Sequence, residues 1–254
     1  MTRWPAFFPL ALLAILFVPA PAASGQRPDF LVSAPENSPL LDFGREELGA
    51  IYDKLGFHMV LKPLPAERAI EMANQGETDA EAARIPEVGQ EFHNLIPVPE
   101  PFLRLELQAI APAGSHISVN SWEDLKNYRI CVALGDKLQE QRTAGLTREM
   151  GRDVASSLRM LRAKRCDVMV IYQYQWLAID QLKVGPFCLA SAVFDKADIF
   201  HYVNRRHADL IPAVTEAMRE RHADGSTARA LAPLLKQVDD ARTRNTCPKG
   251  AGHP

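Results

Sequence analysis

The sequence is short of the constellations that carry chemistry. It has no G-x-S-x-G elbow, no G-x-x-x-x-G-K-[ST] phosphate loop, no H-E-x-x-H spacing and no C-x-x-C pair. Their absence removes the usual patterns for acyl transfer, nucleotide binding, zinc hydrolysis and thioredoxin-like exchange. The histidines stand singly, His201 and His207 being six apart, so they read as surface or capping residues. No metal and no other cofactor is expected. A charge excess of one sign is also missing. The 29 Lys and Arg, of which Arg3 lies in the leader, face 31 Asp and Glu. The mature chain is therefore close to neutral and without a basic stripe, and nucleic acid is excluded as a partner.

Long apolar runs are limited to one, at the start. Arg3 precedes an apolar stretch from Trp4 to Val18, followed by the small residues of Pro19-Ala20-Pro21-Ala22-Ala23. This is the three-part pattern of a secretory signal peptide, expected over residues 1–25 and cleaved on export. A spanning helix needs about 20 apolar residues, and this run is shorter and carries Pro5 and Pro9. No cysteine near the cleavage point suggests a lipid anchor. The mature chain of about 230 residues is long enough for one large or two medium domains. Cys131, Cys166, Cys188 and Cys247 then enter an oxidising compartment, where up to two disulfides form in any of three connectivities.

What is present is an alternation of short apolar runs with amphipathic stretches, the pattern of parallel strands joined by crossover helices. The expected order is a strand at 30–33, a helix at 44–55 stopped by Gly56, a strand at 58–62, a helix at 65–75 stopped by Gly76, and a strand at 78–83. A proline-bracketed alternating segment, Leu103 to Ile110, has the length of a strand that crosses between lobes. A second α/β unit follows. Ser121 is placed to cap a short helix, with Asp124 answering its first-turn amides. Beyond it are expected a strand at 129–134, helices at 137–150 and 158–164, a strand at 167–171, a helix at 173–181 and a strand at 187–192. Ile199 to Val203 returns to the first unit, and helices at 210–222 and 226–238 close it, Ser226 acting as a cap. The expected division is lobe one at 26–107 with 196–244, lobe two at 108–195, and a tail at 245–254 that is mobile unless Cys247 ties it down.

Four places carry a resemblance: Leu64-Pro65-Ala66-Glu67-Arg68-Ala69-Ile70 running to Asn74-Gln75-Gly76-Glu77-Thr78-Asp79; Ser121-Trp122-Glu123-Asp124-Leu125-Lys126 before the strand ending at Gly135; Lys164-Arg165-Cys166-Asp167-Val168-Met169-Val170; and Tyr202-Val203 through Leu210 to Asp224-Gly225-Ser226. In this order the chain resembles the bacterial extracellular solute-binding proteins of family 3. The resemblance implies an α/β, two-lobed periplasmic-binding-protein-like fold of type II, with two crossover strands joining the lobes. It also implies a periplasmic receptor that is not an enzyme. Such a monomer takes a small polar solute into the interlobe cleft by hinge closure and presents it to an inner-membrane ABC permease. Two alternatives stay open: an exported enzyme on the same scaffold, similar to cyclohexadienyl dehydratases, and a ligand-sensing partner of a membrane protein.

Candidate ligand-binding residues follow. Arg84 ends the third strand, where its planar fork suits a carboxylate. The family's arginine lies several residues further on, so Arg84 is a substitute; otherwise it pairs with Glu81 or Glu87. By register Tyr172 holds the place where amino-acid receptors carry an ammonium-binding Asp, which puts a standard amino acid in doubt. Tyr172, with Tyr174 and Trp176 near it, offers a wall for a cation or a flat ligand, while Trp176 reads as core. Glu36 and Asn37 lie in the first loop, where the family's ligands meet lobe one. Asp136 welcomes an amine or caps a helix. Arg68 reaches the cleft rim or pairs with a neighbouring acid, and Glu81 is an acid/base or a structural carboxylate.

Overall fold

The structure, a computed structural model, describes residues 27–87 and 91–247. The expected leader and the tail beyond Cys247 lie outside the described residues. The first unit begins with β1 (Asp29–Pro35), whose alternation buries Phe30, Val32 and Ala34 on one face and Ser33 on the other. Helix α1 (Leu41–Lys54) lays Leu48, Ile51 and Tyr52 on the apolar face. Then come β2 (His58–Leu64), α2 (Ala66–Gln75) and β3 (Ala80–Arg84). Gly76 ends α2 in the left-handed region at φ +80°, a backbone state that costs glycine little and other residues more.

A short β4 (Leu95–Pro97) and the ten-residue β5 (Leu103–Pro112) lead out of this unit. The second unit holds β6 (Ile130–Ala133), α3 (Lys137–Arg142), β7 (Arg148–Gly151), α4 (Val154–Arg162), β8 (Val168–Tyr172), α5 (Gln175–Leu182) and β9 (Phe187–Leu189). The chain returns along β10 (Asp195–Asn204) and finishes with α6 (Ile211–Ala223) and α7 (Ser226–Asn245).

The strands lie in the order β2-β1-β3-β10-β5-β8-β6-β7, with β4 on β10 and β9 on β5. Within β2-β1-β3 and within β8-β6-β7 the neighbours are parallel. Between them β5 and β10 run antiparallel to each other and to the parallel strands they flank. Two doubly wound halves joined by two long antiparallel strands make the two-lobed periplasmic-binding-protein-like fold. Each parallel triplet is covered by helices from its own crossovers, as buried parallel strands require.

Two aspartates of the sequence motifs explain why those motifs recur. Asp79, just before β3, accepts the Leu31 N–H at 2.7 Å and contacts from Arg206 and His207. Burial opposes the charge, but these donors hold its carboxyl below the ordinary range. In the second half Asp167, just before β8, accepts the Arg129 N–H at 2.9 Å and its guanidinium. Each Asp hooks the start of a neighbouring strand, so these residues set register at the strand N-termini, away from the strand ends where ligands bind.

Several local expectations need correction. The helix expected at 137–150 ends at Arg142, because Gly145 turns the chain at φ +80°, and 148–151 becomes an edge strand. The helix expected at 158–164 begins at Val154, since the Asp153 carboxylate accepts the Ser156 N–H at 2.7 Å. Asp124 accepts the N–H groups of Asn120 and Ser121, which precede the short helix Trp122–Asn127, and not the first-turn amides expected for it. Ser226 is the first residue of α7 and not its cap; Gly225, at φ +75°, occupies the cap, and the Asp224 carboxylate takes the Ser226 N–H.

The disulfides are Cys131–Cys166 and Cys188–Cys247. The first joins β6 to the turn before β8; the second ties the segment after α7 to β9. Disulfides accord with an extracytoplasmic protein. Among the described residues no helix is long and apolar enough to cross a membrane.

Candidate functional site

Each half-sheet places its first strand in the middle: β1 between β2 and β3, β6 between β7 and β8. The crossovers therefore leave the central strand in opposite directions, and the crevice beyond its carboxyl end is where small ligands bind in open α/β sheets. Both crevices carry expected residues. Glu36 and Asn37 follow β1, Arg84 ends β3, Asp136 follows β6 and Tyr172 ends β8. Arg68 stands in the first turn of α2, exposed and with no partner among the described residues, so the pairing expected for it is not found.

In the first half Glu81 is fully buried and Arg84 is 18% exposed. The Ser33 hydroxyl donates to Glu81 Oε2 at 2.7 Å. Arg84 Nε sits 2.8 Å from Glu81 Oε1, yet the N–H is not aligned on that oxygen, and both atoms lack a hydrogen bond among the described residues. Arg84 Nη2 donates to the Ala66 carbonyl at 2.7 Å, which holds the guanidinium against the start of α2. Burial pushes the Glu81 carboxyl up to about 7, more strongly than Arg84 and Ser33 pull it down. Arg84 thus has a partner behind it and retains donors for a ligand.

In the second half the Tyr172 hydroxyl donates to Asp136 Oδ1 at 2.9 Å. Asp136 also accepts the Gln139 N–H at 3.1 Å and the Gln139 side-chain amide at 2.8 Å. It caps α3, as one of its two readings expected, and it also holds Tyr172. Burial raises the Asp136 carboxyl, and burial followed by the Asp136 charge raises the Tyr172 phenol. Trp176 is buried in the core, as the core reading required, while Tyr174 is buried beside it.

A cavity of about 700 Å³ opens between the halves. Glu36 and Asn37 line it from the first loop, with Glu46 of α1; Tyr174 and Gln175 line it from the start of α5, and Gln237 of α7 closes one side. Glu36 and Asn37 therefore face a space shared with the second half. Sequence reasoning missed Gln139, although Asp136-x-x-Gln139 has capping-box spacing and signals that pair. It also left Ser33 and Glu46 aside; a lone serine in an apolar strand and an acid on a helix face carry no local signal.

No family model matches the chain. An uncharacterized protein of Shewanella oneidensis is 23% identical over 247 residues, covering 89% of this chain and 93% of the relative. A histidine kinase sensor domain with similarity to periplasmic binding proteins superposes with a TM-score of 0.70 at 15% identity, over 82% of this chain and 97% of that one. The probable amino-acid ABC transporter extracellular-binding protein of Bacillus subtilis gives 0.67 at 15% identity, over 85% and 100%. At these identities the likeness carries the fold, which is that of amino-acid-binding proteins and of a sensor domain built like them.

Proposed function

We propose that the chain is a receptor of the periplasm, exported with loss of its leader, that closes its two halves on a small polar solute. One observation carries this reading: polar and charged side chains stand at both crevices, with Glu81 and Arg84 at the end of β3 and Asp136 and Tyr172 at the ends of β6 and β8. Hinge closure brings such strand ends together around a ligand. The receptor is a monomer that delivers its solute to an inner-membrane ABC permease. It carries no catalytic step, and Arg84, Glu36 and Asn37 contribute to solute contact from the first half.

Thermal unfolding with a panel of amino acids, amines and small organic acids tests the reading. A ligand present at one hundred times its Kd adds about 2.7 kcal/mol of stability, a shift of several degrees. Silence across the panel would defeat it. Formation of phenylpyruvate from prephenate would favour the enzyme alternative instead. The sensor reading is supported by the likeness to the kinase sensor domain. It is distinguished by pull-down of a membrane kinase, not a permease, with the ligand-loaded protein.

A further inference from the structure

Two buried acceptors near the meeting of the two halves have no donor among the described residues. Gln139 is 1% exposed. Its amide nitrogen is committed to Asp136 at 2.8 Å, and its carbonyl oxygen has no donor among the described residues. Glu87, just beyond β3 in the first half, buries its Oε2, again with no donor among the described residues. A buried acceptor left unpaired is costly, so two of them on opposite sides of one junction call for a ligand that brings donors.

The two sides are close enough to act together. Glu87 lines a cavity of about 300 Å³ with Leu138 and Arg142, which lie on the same short helix as Gln139. The Glu87 charge also acts on the Tyr172 hydroxyl, which is bonded to Asp136. Two cations border that cavity. Lys196 is turned to Glu106 at 3.4 Å, and Arg142 is exposed and forms no ion pair among the described residues.

We infer that the ligand of this receptor is a cation, whose ammonium or guanidinium group is received between Glu87 of the first half and the Asp136–Gln139 pair of the second. This rests on the receptor reading and narrows it to positively charged solutes. A cation answers both the orphan oxygens and the two carboxylates beside them, Glu87 and Asp136, whereas an anion would be repelled by both. A cation held from both sides makes contacts only in the closed form, and that difference in affinity is what drives closure.

The test is calorimetric titration of the mature chain, disulfides intact, with 1,4-diaminobutane, agmatine and arginine as cations, and glutamine, glutamate and succinate as matched solutes without a net positive charge. At least one cation binds at least tenfold more tightly than any of the others, and E87Q and D136N each weaken it at least tenfold. Asn is a good helix cap, so D136N keeps α3, and E87Q touches no cap at all. Binding of glutamate or succinate in preference to every cation would overturn this inference and leave the receptor reading standing. Cation binding that neither substitution weakens would overturn the site, and no binding by any of the six would overturn both.

Discussion

Tyr172 and Asp136 form a hydrogen bond of 2.9 Å between the ends of two neighbouring parallel strands. The phenol supplies the third donor to a buried carboxylate that two Gln139 groups already hold. Asp136 is thereby fixed in one orientation in the crevice, and the aromatic ring is fixed with it.

Removing that donor separates the aromatic surface from the hydrogen bond. Y172F is expected to lower stability by about 1–2 kcal/mol, the range for a buried acceptor losing one donor, with the halves still folded. Urea unfolding followed by circular dichroism measures it; a change below about 0.3 kcal/mol would mean the bond does not form in solution.

Glu81 and His201 oppose each other in pH dependence. The folded state raises the Glu81 carboxyl to about 7, chiefly by burial, so its contribution is complete below about 4.5 and is lost as pH rises through 7. Burial lowers His201 to about 4; its ring donates from Nδ1 to the Ala82 carbonyl and accepts the Tyr52 hydroxyl at Nε2. That contribution is present above about 6.5 and is lost as pH falls through 4. Each shift corresponds to about 3 kcal/mol at about 1.4 kcal/mol per pKa unit, and between about 4.5 and 6.5 the two slopes offset. E81Q removes one of them, so its stability is expected to rise with pH across that window while the native protein stays nearly flat. Chemical denaturation at pH 4.5, 5.5 and 6.5 checks this.

Glu47 is a buried acid on α1 that accepts Arg221 Nε at 3.0 Å and Nη2 at 2.7 Å, and Thr227 Oγ1 at 2.5 Å. It joins α6 and the start of α7 to the first half. Taking away one partner of such a pair strands the other, at about 3–5 kcal/mol when burial is complete. Arg221 keeps partial exposure, so E47A is expected to cost about 2–3 kcal/mol, measured as a shift in the urea midpoint at unchanged slope.

The Cys188–Cys247 bond closes a loop of 59 residues. Chain-entropy reasoning gives about 4 kcal/mol for a loop of that length, and the C188S/C247S double variant is expected to lose an amount of that order. A loss under about 1 kcal/mol would show that the Arg244 and Asn245 contacts to Asp180 hold the segment unaided.

The halves were legible because buried parallel strands need unbroken apolar runs such as Val168-Met169-Val170-Ile171, and each crossover helix repeats its spacing. Gly56 and Gly76 marked helix ends because positive φ at those positions favours glycine. Gly145 was overlooked, since Leu138 and Leu146 keep helical spacing across it. The start of β10 was missed because Asp195, Lys196 and Asp198 look like a loop; on the strand Asp195 accepts the Trp122 indole N–H at 2.6 Å and Asp198 pairs with Arg104 of β5. The site was half legible. Arg84, Asp136 and Tyr172 stand at strand ends that the strand assignment had already placed. Their partners Ser33 and Gln139 had to come from three-dimensional neighbours, and nothing in the sequence foretold that Arg84 would lean on the Ala66 carbonyl.

Helix α7 starts against Glu47 in the first half and finishes at Asp180, Phe187 and Cys188 in the second. It is a third crossing beside β5 and β10, and the one that a covalent bond fastens. Material produced in a reducing cytoplasm would arrive without that fastening, so a titration on it would describe two halves held more loosely than in the disulfide-bonded chain. Oxidative production belongs among the reagents of any ligand search on this protein.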